Sequence, residues 1–322
     1  MSLNVGVLGC SKFADRAMIP AASDLGSLKI TCIASRDLQK ATRFAEKFNC
    51  RALANYDDLI SSKDLDAIYI PLPSGVQYEW VKKALLNNKH VLVEKTFLGD
   101  SDKVKELVKI AREKKLLILE NFLFLRHQQC IFIKECLRKN LIGQINLMRS
   151  SFCFPPLDDD NIRYNKSLGG GALLDAGTYI VKSINHFLSP KEILYVNWSF
   201  NHDEHRDIDI SGSLTAHLDS KIFVQGYYSL NSQYQCSLEI LGTEGKITAQ
   251  RIFTAPPEHY AEVVITNKEQ NKTYTFKDNQ LKNQWEYFEN LISGSQSFET
   301  EYNDLMKQSK LLNLLKDVNQ HE

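Results

Sequence analysis

The chain has 322 residues, a length that suits two domains better than a single hydrophobic core. Hydrophobic residues make up 43% of it, as in ordinary globular proteins, and 39 Lys and Arg residues balance 39 Asp and Glu residues. This balance provides no long-range positive field that would attract nucleic acid or an anionic membrane. No apolar run is long enough to cross a bilayer, and the first residues lack the pattern of a signal peptide.

The seven cysteines and eight histidines do not indicate a disulfide framework or a metal site. The cysteine count is odd, and no two cysteines have the Cys-x-x-Cys spacing. The histidines show no metal-ligand spacing either. We therefore expect no bound metal, and we expect a reducing, cytoplasmic environment.

The first part of the chain alternates short apolar runs with helical patterns. Strands are predicted at Val5–Leu8, Ile30–Ala34, Ala67–Ile70, Val91–Val93 and Leu116–Leu119. Helices are predicted at Ala14–Ser23, Leu38–Phe48, Gln77–Asn87 and Ser101–Lys114. This alternation predicts a parallel sheet with helices on both faces, and the continuous apolar strands fit burial on both sides. The sequence therefore indicates a doubly wound α/β domain that binds a dinucleotide, over residues 1–122.

The pattern changes after residue 122, where strand follows strand. These strands are predicted at Ile145–Phe154, Ile193–Phe200, Ile208–Leu218, Ile222–Leu230 and Tyr234–Leu241. Helices are predicted at Gln128–Lys139, Thr178–Phe187, Leu281–Ile292 and Tyr302–Leu315. Successive strands without intervening helices predict a mostly antiparallel sheet. We expect residues 123–322 to form an α+β domain with an open, mostly antiparallel sheet.

The turn after the first predicted strand has the position of a phosphate-binding loop. Gly9, Ser11 and Ala14 form the pattern G-x-S-x-x-A between a strand and a helix, where G-x-G-x-x-G/A binds a dinucleotide pyrophosphate. The helix N-terminus, with Lys12 and Phe13 in the same turn, offers N–H donors to the phosphates. Ser11 replaces the second glycine, and its hydroxyl can donate to a phosphate oxygen. Taken alone, the altered pattern leaves an ordinary strand–helix turn open as the alternative.

The end of the second predicted strand indicates which dinucleotide fits. Chains that bind NAD usually carry Asp or Glu there, to hold the ribose 2′-hydroxyl. This chain has Ser35 and Arg36, and an arginine can pair with a 2′-phosphate. The pair predicts a preference for NADPH over NAD, and the alternative is a solvated surface arginine.

Ligands of open α/β sheets bind beyond the carboxyl ends of the strands. Leu72 and Pro73 follow the third predicted strand, and Glu94 and Lys95 follow the fourth. A partly desolvated lysine beside a cofactor can donate a hydrogen bond or a proton to a carbonyl group. The alternative is that Glu94 and Lys95 form an ordinary surface pair.

Several short motifs follow one another along nearly the whole chain. They are Gly9–Ala14, Pro71–Ser74, Glu79–Trp80, Lys89–Lys95, Leu119–Phe124 with His127, Gly169–Tyr179 and Leu241–Gly245. This ordered set resembles the glucose–fructose oxidoreductase / inositol dehydrogenase (Gfo/Idh/MocA) family. The resemblance implies a Rossmann domain, then a domain for substrate binding and oligomerisation, and homodimers or homotetramers. In the family, a Glu-Lys-Pro motif supplies a lysine near nicotinamide and substrate, which corresponds to Lys95 here.

Two positions depart from the family pattern. Thr96 stands where the family has a proline, which often follows a cis peptide bond. A cis bond before threonine costs about 3 kcal/mol more than a trans bond, so either the bond is trans or its neighbours hold it cis. Gln77 replaces a histidine that is common in relatives, and the sequence provides no reason for this exchange.

Asp175 and Tyr179 follow a run of three glycines and, four residues apart, share one face of a helical turn. Many family members carry histidine at or near the position of Tyr179, whereas sugar-ketone reductases and dihydrodiol dehydrogenases carry tyrosine. A tyrosine with a lysine nearby suits ketone reduction, because the ammonium stabilises the phenolate. The resemblance thus implies that Tyr179 and Lys95 are catalytic and that Asp175 binds substrate. The alternative for Tyr179 is a core tyrosine with a satisfied hydroxyl.

Three further segments narrow the resemblance to nucleotide-sugar 3-ketoreductases. They are Phe13–Ala21, Glu120–Phe124 and the stretch from Pro155 to Tyr164. Such enzymes use NADPH to reduce the C3 ketone of a nucleotide-linked deoxysugar. Arg163 can meet a substrate phosphate or pair with the acidic run Asp158–Asp160. His127 follows the fifth predicted strand, where it binds substrate or packs between domains.

We therefore expect an NADPH-dependent reductase of a sugar ketone, with a sugar or nucleotide-sugar as its partner. A second possibility is an NAD(P)-dependent dehydrogenase of a free sugar, an inositol or a dihydrodiol. A third, from another class, is a non-catalytic regulator that senses NADP, which Ser11 and Thr96 favour and Lys95 and Tyr179 oppose. A fourth is a cofactor-holding subunit that works only with a partner.

Overall fold

The computed structural model describes residues 2–219, 221–294 and 297–317. The chain folds into two compact units. The first contains the chain up to Phe122 and the segment Leu281–Ser309. The second contains Leu123–Gln280 and, as far as it is described, the chain after Ser309.

A parallel sheet forms the centre of the first unit. Its strands are β1 (Leu3–Leu8), β2 (Leu28–Ala34), β3 (Arg51–Leu53), β4 (Ala67–Ile70), β5 (His90–Glu94) and β6 (Ile118–Asn121). The helices are α1 (Ile19–Ser23), α2 (Leu38–Phe48), α3 (Tyr56–Ser61), α4 (Ser74–Leu86) and α5 (Ser101–Lys114), and a π-helical segment, Ala14–Met18, precedes α1. In the described part of this unit the strand order is β3-β2-β1-β4-β5-β6, with parallel pairing throughout. This is the order of a Rossmann sheet, so the predicted doubly wound fold is confirmed.

The second unit is built on a larger, mostly antiparallel sheet. Its strands are β7 (Ile145–Cys153), β8 (Ile193–Asp203), β9 (Ile208–Leu218), β10 (Ile222–Ser229), β11 (Gln235–Gly242), β12 (Gly245–Gln250), β13 (Tyr260–Asn267) and β14 (Asn271–Lys277). The order is β14-β13-β12-β11-β7-β10-β9-β8, and β7 and β10 pair in parallel. The helices are α6 (Gln128–Arg138) and α7 (Thr178–Ser183), with π-helical segments Leu173–Gly177 and Ile184–Leu188 on either side of α7. The predicted α+β architecture is confirmed.

Several elements were not predicted. In the first unit these are β3 and α3, and in the second they are β12, β13 and β14. Strands β12 and β13 bury alternate residues, such as Ile247 and Ala249 in β12 and Val263 and Ile265 in β13. This period of two is visible in the sequence and is the pattern that predicts a half-buried strand.

The last two helices, α8 (Gln280–Ser293) and α9 (Glu299–Asp317), differ from the predicted domain division. All residues after 122 were predicted to lie in the second domain, whereas the structure groups Leu281–Ser309 with the first unit. The Trp285 indole donates a hydrogen bond to the Met18 carbonyl oxygen (2.8 Å). The Tyr302 hydroxyl donates to the Leu116 carbonyl oxygen (2.6 Å). These are contacts across long sequence separations, which local patterns do not reveal.

Within the described ranges, no helix combines the length and the apolar content needed to cross a bilayer.

Candidate active site

The turn after β1 is shaped by Gly9. This residue has a φ of +121°, and a Cβ added to it would lie 2.7 Å from Leu72 Cδ2. The Gly9 N–H donates to the Ala34 carbonyl oxygen at the end of β2 (3.0 Å). The position therefore requires glycine both for its backbone angle and for the close approach of Leu72. These contacts bring the carboxyl ends of β1, β2 and the segment after β4 together.

The rest of this turn fits a pyrophosphate. The Ser11 hydroxyl accepts a hydrogen bond from the Ala14 N–H (3.0 Å) and so caps the helical segment that follows. A hydroxyl that accepts one hydrogen bond can still donate its own proton to a phosphate oxygen. Ala14 is fully buried, whereas Lys12 and Phe13 are exposed beside the turn. Together, a glycine that admits close approach and a helix N-terminus beside a serine hydroxyl match the requirements of a dinucleotide phosphate.

Arg36 lies exposed at the end of β2, beside the same turn. It forms a hydrogen bond with the Tyr56 hydroxyl; burial raises the pKa of Tyr56, and the nearby guanidinium opposes this increase. Ser35 is buried, and its hydroxyl accepts from the Asp37 N–H (3.2 Å). The Asp37 carboxylate is engaged as the N-cap of α2, where it accepts from the Lys40 N–H (3.1 Å). The exposed charge beside the turn is therefore positive, as a 2′-phosphate requires.

Glu94 ends β5 within a buried hydrogen-bond network. Its Oε1 atom accepts from the Tyr69 hydroxyl (2.5 Å) and from Asn121 Nδ2 (2.6 Å). Burial raises the pKa of Glu94, and the hydrogen bonds from Tyr69 and Asn121 and the charge of Lys95 oppose the increase. Burial likewise raises the pKa of Tyr69, so its hydroxyl keeps its proton and remains a donor. Glu94 is therefore held in one orientation at the carboxyl end of the sheet.

Lys95 follows directly and is half-buried. The peptide bond between Lys95 and Thr96 is cis, which decides between the two alternatives that the sequence left open. One residue further on, the Phe97 N–H donates to Glu120 Oε1 (2.8 Å), a buried carboxylate at the end of β6. The segment that carries Lys95 is thus tied to the neighbouring strand.

In the second unit, Arg163 and Asp175 form an ion pair. Arg163 Nε donates to Asp175 Oδ2 at 2.6 Å. Asp175 is the main cause of a raised pKa of Arg163, and Tyr179 makes a smaller contribution in the same direction. The sequence had left open that Arg163 pairs with the acidic run Asp158–Asp160. In the structure, Asp159 of this run pairs with Arg206 instead (2.6 Å). Two predicted substrate-binding residues are therefore in direct contact.

Tyr179 lies on α7 among three aromatic rings, of which Phe152 and Phe253 were not predicted to be near the site. Its ring centroid is 5.0 Å from that of Phe152, 5.2 Å from that of Phe253 and 5.9 Å from that of Phe124. The side chain is half-buried. These rings leave the phenol little freedom to rotate, because protein interiors are closely packed. Tyr179 therefore has a fixed direction beside the Arg163–Asp175 pair.

Asp209 supports the glycine-rich turn that leads to these residues. Its Oδ2 atom accepts from the Leu173 N–H at 2.6 Å. Gly171 has a φ of +116°, and a side chain there would overlap Asp209 Oδ1. The Gly171 N–H donates to the Arg163 carbonyl oxygen (2.9 Å). Asp209 was not predicted as a site residue. The one sequence feature that could have indicated it is an acidic residue between two isoleucines at the start of β9.

His127 has a role that the sequence did not indicate. It is fully buried, and its Nδ1 accepts from the Gln129 N–H (3.1 Å), so it caps the N-terminus of α6. Burial lowers the pKa of His127, which favours the neutral imidazole. Its predicted contact with substrate stays a prediction.

The predicted site residues thus fall into two groups. The residues predicted to bind the cofactor lie in the first unit, where Gly9, Leu72 and Arg36 adjoin the carboxyl ends of the strands. Arg163, Asp175 and Tyr179 lie together in the second unit. The two proposed catalytic residues, Lys95 and Tyr179, belong to different units.

Comparison with known proteins gives matches along most of the chain. Residues 3–122 match the model of the GFO/IDH/MocA oxidoreductase family with an NAD-binding Rossmann fold, and residues 131–248 match a GFO/IDH/MocA C-terminal domain. A dTDP-3,4-didehydro-2,6-dideoxy-alpha-D-glucose 3-reductase from Saccharopolyspora spinosa is 39% identical over 83% of this chain and 80% of its own. The protein of the same name from Actinomadura kijaniata is 35% identical over 81% and 78%.

A solved structure is similar over almost the full length. It is KijD10, a 3-ketoreductase from Actinomadura kijaniata in complex with NADP and TDP-benzene. The TM-score is 0.92 at 30% identity, with 98% of each chain covered.

Proposed function

The chain belongs to the Gfo/Idh/MocA oxidoreductase family, and on this basis we propose that it uses NADPH to reduce the C3 ketone of a nucleotide-linked deoxysugar. The observation that carries the proposal is the joint presence of a glycine turn flanked by Arg36 and a tyrosine beside an arginine–carboxylate pair. Relatives with 3-reductase activity on a dTDP-linked sugar support the substrate class.

The cofactor part of the proposal assigns residues of the first unit. The turn from Gly9 to Ala14 would hold the pyrophosphate, and Ser35 and Arg36 would hold the 2′-phosphate. Leu72, Pro73, Glu94 and Lys95 would contact the nicotinamide end, since ligands bind beyond the carboxyl ends of such strands. When bound, NADPH supplies the hydride for the ketone carbon.

The proton for the ketone oxygen would come from Tyr179. A phenol near neutral pH donates a proton more readily when a cation stabilises the phenolate, a role that we assign to Lys95. Asp175, held by Arg163, would accept a hydrogen bond from a sugar hydroxyl. The aromatic rings around Tyr179 would keep its hydroxyl aimed at the substrate.

The quaternary structure is also a proposal. We expect a homodimer or homotetramer that associates through the open face of the larger sheet. On this face Tyr195 pairs with His217, and His217 pairs with Phe223 on the next strand. Tyr195 and Phe223 are 54% and 51% exposed, which is unusual for large apolar side chains aligned on one surface.

Seven free cysteines, six of them buried, support the proposal that the protein works in a reducing cytoplasm.

The direct test is to mix the purified protein with NADPH and a dTDP-linked 3-keto-2,6-dideoxysugar and to follow NADPH oxidation. We expect turnover with NADPH that exceeds turnover with NADH. If the protein binds NADPH but oxidises it neither with the keto-sugar nor with free ketoses, the reductase function is rejected and an NADP-sensing regulator is favoured. If the enzyme is active with a free sugar, an inositol or a dihydrodiol but not with the nucleotide-sugar, only the proposed substrate is rejected, and the oxidoreductase activity stands.

A further inference from the structure

We infer that Gln77 is a positioning residue for the nicotinamide end of the proposed cofactor site, an inference that rests on the proposed function. Gln77 lies on α4, and its side chain is fully buried. Its Nε2 atom donates to two backbone carbonyl oxygens, that of Leu72 at 2.9 Å and that of Glu94 at 2.8 Å. The side chain therefore joins two segments that are 22 residues apart, a separation given by their positions in the sequence.

The two carbonyl groups belong to the segments at the carboxyl ends of β4 and β5. Leu72 packs against Gly9 and precedes Pro73, and Glu94 precedes Lys95. A primary amide offers two N–H donors from one nitrogen at a fixed angle. One planar group therefore sets the separation between the two segments that would flank the nicotinamide.

The other contacts of the β5 end come from the two neighbouring strands, β4 and β6. Tyr69 and Asn121 fix the Glu94 carboxylate, and the Glu120 carboxylate accepts from the Phe97 N–H. These contacts orient the Glu94 side chain and the segment after Lys95. Gln77 adds the tie that joins this segment to the segment after β4.

The Gln77 oxygen shows what the amide contributes. Among the described residues, Gln77 Oε1 is buried and has no hydrogen-bond partner. A buried acceptor without a partner lowers stability, so a leucine of similar size would avoid this cost. What an apolar residue would not supply is the pair of N–H donors. The amide is therefore suited to hold the two carbonyl groups rather than to fill the core.

Lys89 offers a matched control at the opposite edge of the same strands. Its buried Nζ atom donates to the carbonyl oxygens of Ser62 and Leu65, each at 2.7 Å. Like Gln77, it ties two backbone carbonyl groups with one nitrogen. It does so just before β4 and β5 begin, at the edge away from the proposed cofactor.

The experiment compares Gln77→Leu with Lys89→Met in the full-length protein. The first readout is amide hydrogen exchange over residues 94–98 without cofactor, and the second is the dissociation constant for NADPH, measured by fluorescence titration. For Gln77→Leu we expect faster exchange there and about tenfold or more weaker NADPH binding, which corresponds to about 1.4 kcal/mol. For Lys89→Met we expect a lower melting temperature, with exchange over 94–98 and NADPH affinity as in the wild type.

A third variant, Gln77→His, keeps a ring N–H donor and should lie between the wild type and Gln77→Leu in both readouts. Wild-type exchange and wild-type NADPH affinity in Gln77→Leu would overturn the inference. Equal losses in Lys89→Met would also overturn it, because they would show a general loss of stability. Neither readout uses a sugar, so a failure to reduce any keto-sugar would reject the proposed function and leave the inference on Gln77 to be judged separately.

Discussion

Arg163 Nε lies 2.6 Å from Asp175 Oδ2, and the Arg163 carbonyl oxygen accepts the Gly171 N–H at 2.9 Å. One residue thus holds the last glycine of the turn through its backbone and Asp175 through its side chain. The guanidinium holds the Asp175 carboxylate in one orientation. Asp175 is therefore suited to accept a hydrogen bond from a sugar hydroxyl, which leaves Tyr179 as the proton donor in the proposed reaction.

Replacing Tyr179 by phenylalanine should lower turnover about 100-fold or more, the scale that general acid catalysis contributes. Lys95→Ala should have an effect of the same order. The measurement is the turnover number with NADPH and the keto-sugar. The control is Tyr227→Phe, which removes the hydroxyl of an exposed tyrosine on β10. Wild-type turnover in Tyr179→Phe would exclude the assigned role.

Replacing Arg36 by alanine should raise the Michaelis constant for NADPH about 10- to 100-fold and leave that for NADH nearly unchanged, because a charged hydrogen bond to the 2′-phosphate is lost. Initial rates with each cofactor provide the measurement. The control is Arg51→Ala, an exposed arginine of β3 that pairs with Asp64. If the wild type binds NADH more tightly, or if both constants rise equally, Arg36 does not select the cofactor.

Gly171→Ala should destabilise the protein by about 1–2 kcal/mol from its left-handed backbone alone, and overlap with Asp209 adds to this. Turnover should fall as well, because the turn carries Asp175 and Tyr179. Thermal unfolding and turnover are measured together. The control is Gly26→Ala, where an added Cβ meets no atom within 4 Å. A Gly171→Ala protein as stable and active as Gly26→Ala would contradict this account of the turn.

His90 should make stability depend on pH. Burial lowers the pKa of His90 from 6.5 to about 4, and its Nδ1 accepts the Leu117 N–H. The unfolded chain therefore binds more protons between these values, so stability is full above pH 6.5 and is lost as the pH falls towards 4. The loss attributable to this residue should be about 3 kcal/mol.

The measurement is the difference in unfolding free energy between the wild type and His90→Asn at pH 7 and at pH 4.5. The variant should be less stable at pH 7, and the gap should narrow at the lower pH. A gap that does not change with pH would mean that folding does not lower the pKa of His90.

Phe223→Glu should dissociate the proposed oligomer. Phe223 stacks on His217 with ring centroids 4.5 Å apart on the exposed face of the larger sheet, and a carboxylate buried there would be costly. Sedimentation velocity gives the mass of wild type and variant. Ile131→Glu changes an equally exposed apolar residue on α6 and serves as the control. A wild-type monomer, or an intact oligomer in Phe223→Glu, would count against this interface.

Much of the fold could be predicted because it depends on local patterns. The alternation of buried strands and helices indicated the Rossmann sheet, and five of its six strands were predicted. Four of them match the prediction at one end or to within one residue at each end, and the strand predicted at Leu116–Leu119 lies two residues later, at Ile118–Asn121. The strand Arg51–Leu53 was missed because it is short and half-exposed, and therefore has no apolar run. The late strands β12 and β13 were not predicted, although their buried residues alternate along the sequence.

The sequence by itself determined the shape of the turn after β1 and the positive charge beside it, since Gly9, Ser11, Ala14 and Arg36 act there through backbone shape and residue type at fixed spacing. Only the tertiary structure decided the partners of side chains. It paired Arg163 with Asp175 and brought the Gln77 amide to the carbonyl groups of two separate segments. It also returned α8 to the first unit. The contact of α8 with Met18 joins residues that are 267 positions apart, and even the closer pairs depend on how the segments pack rather than on their spacing.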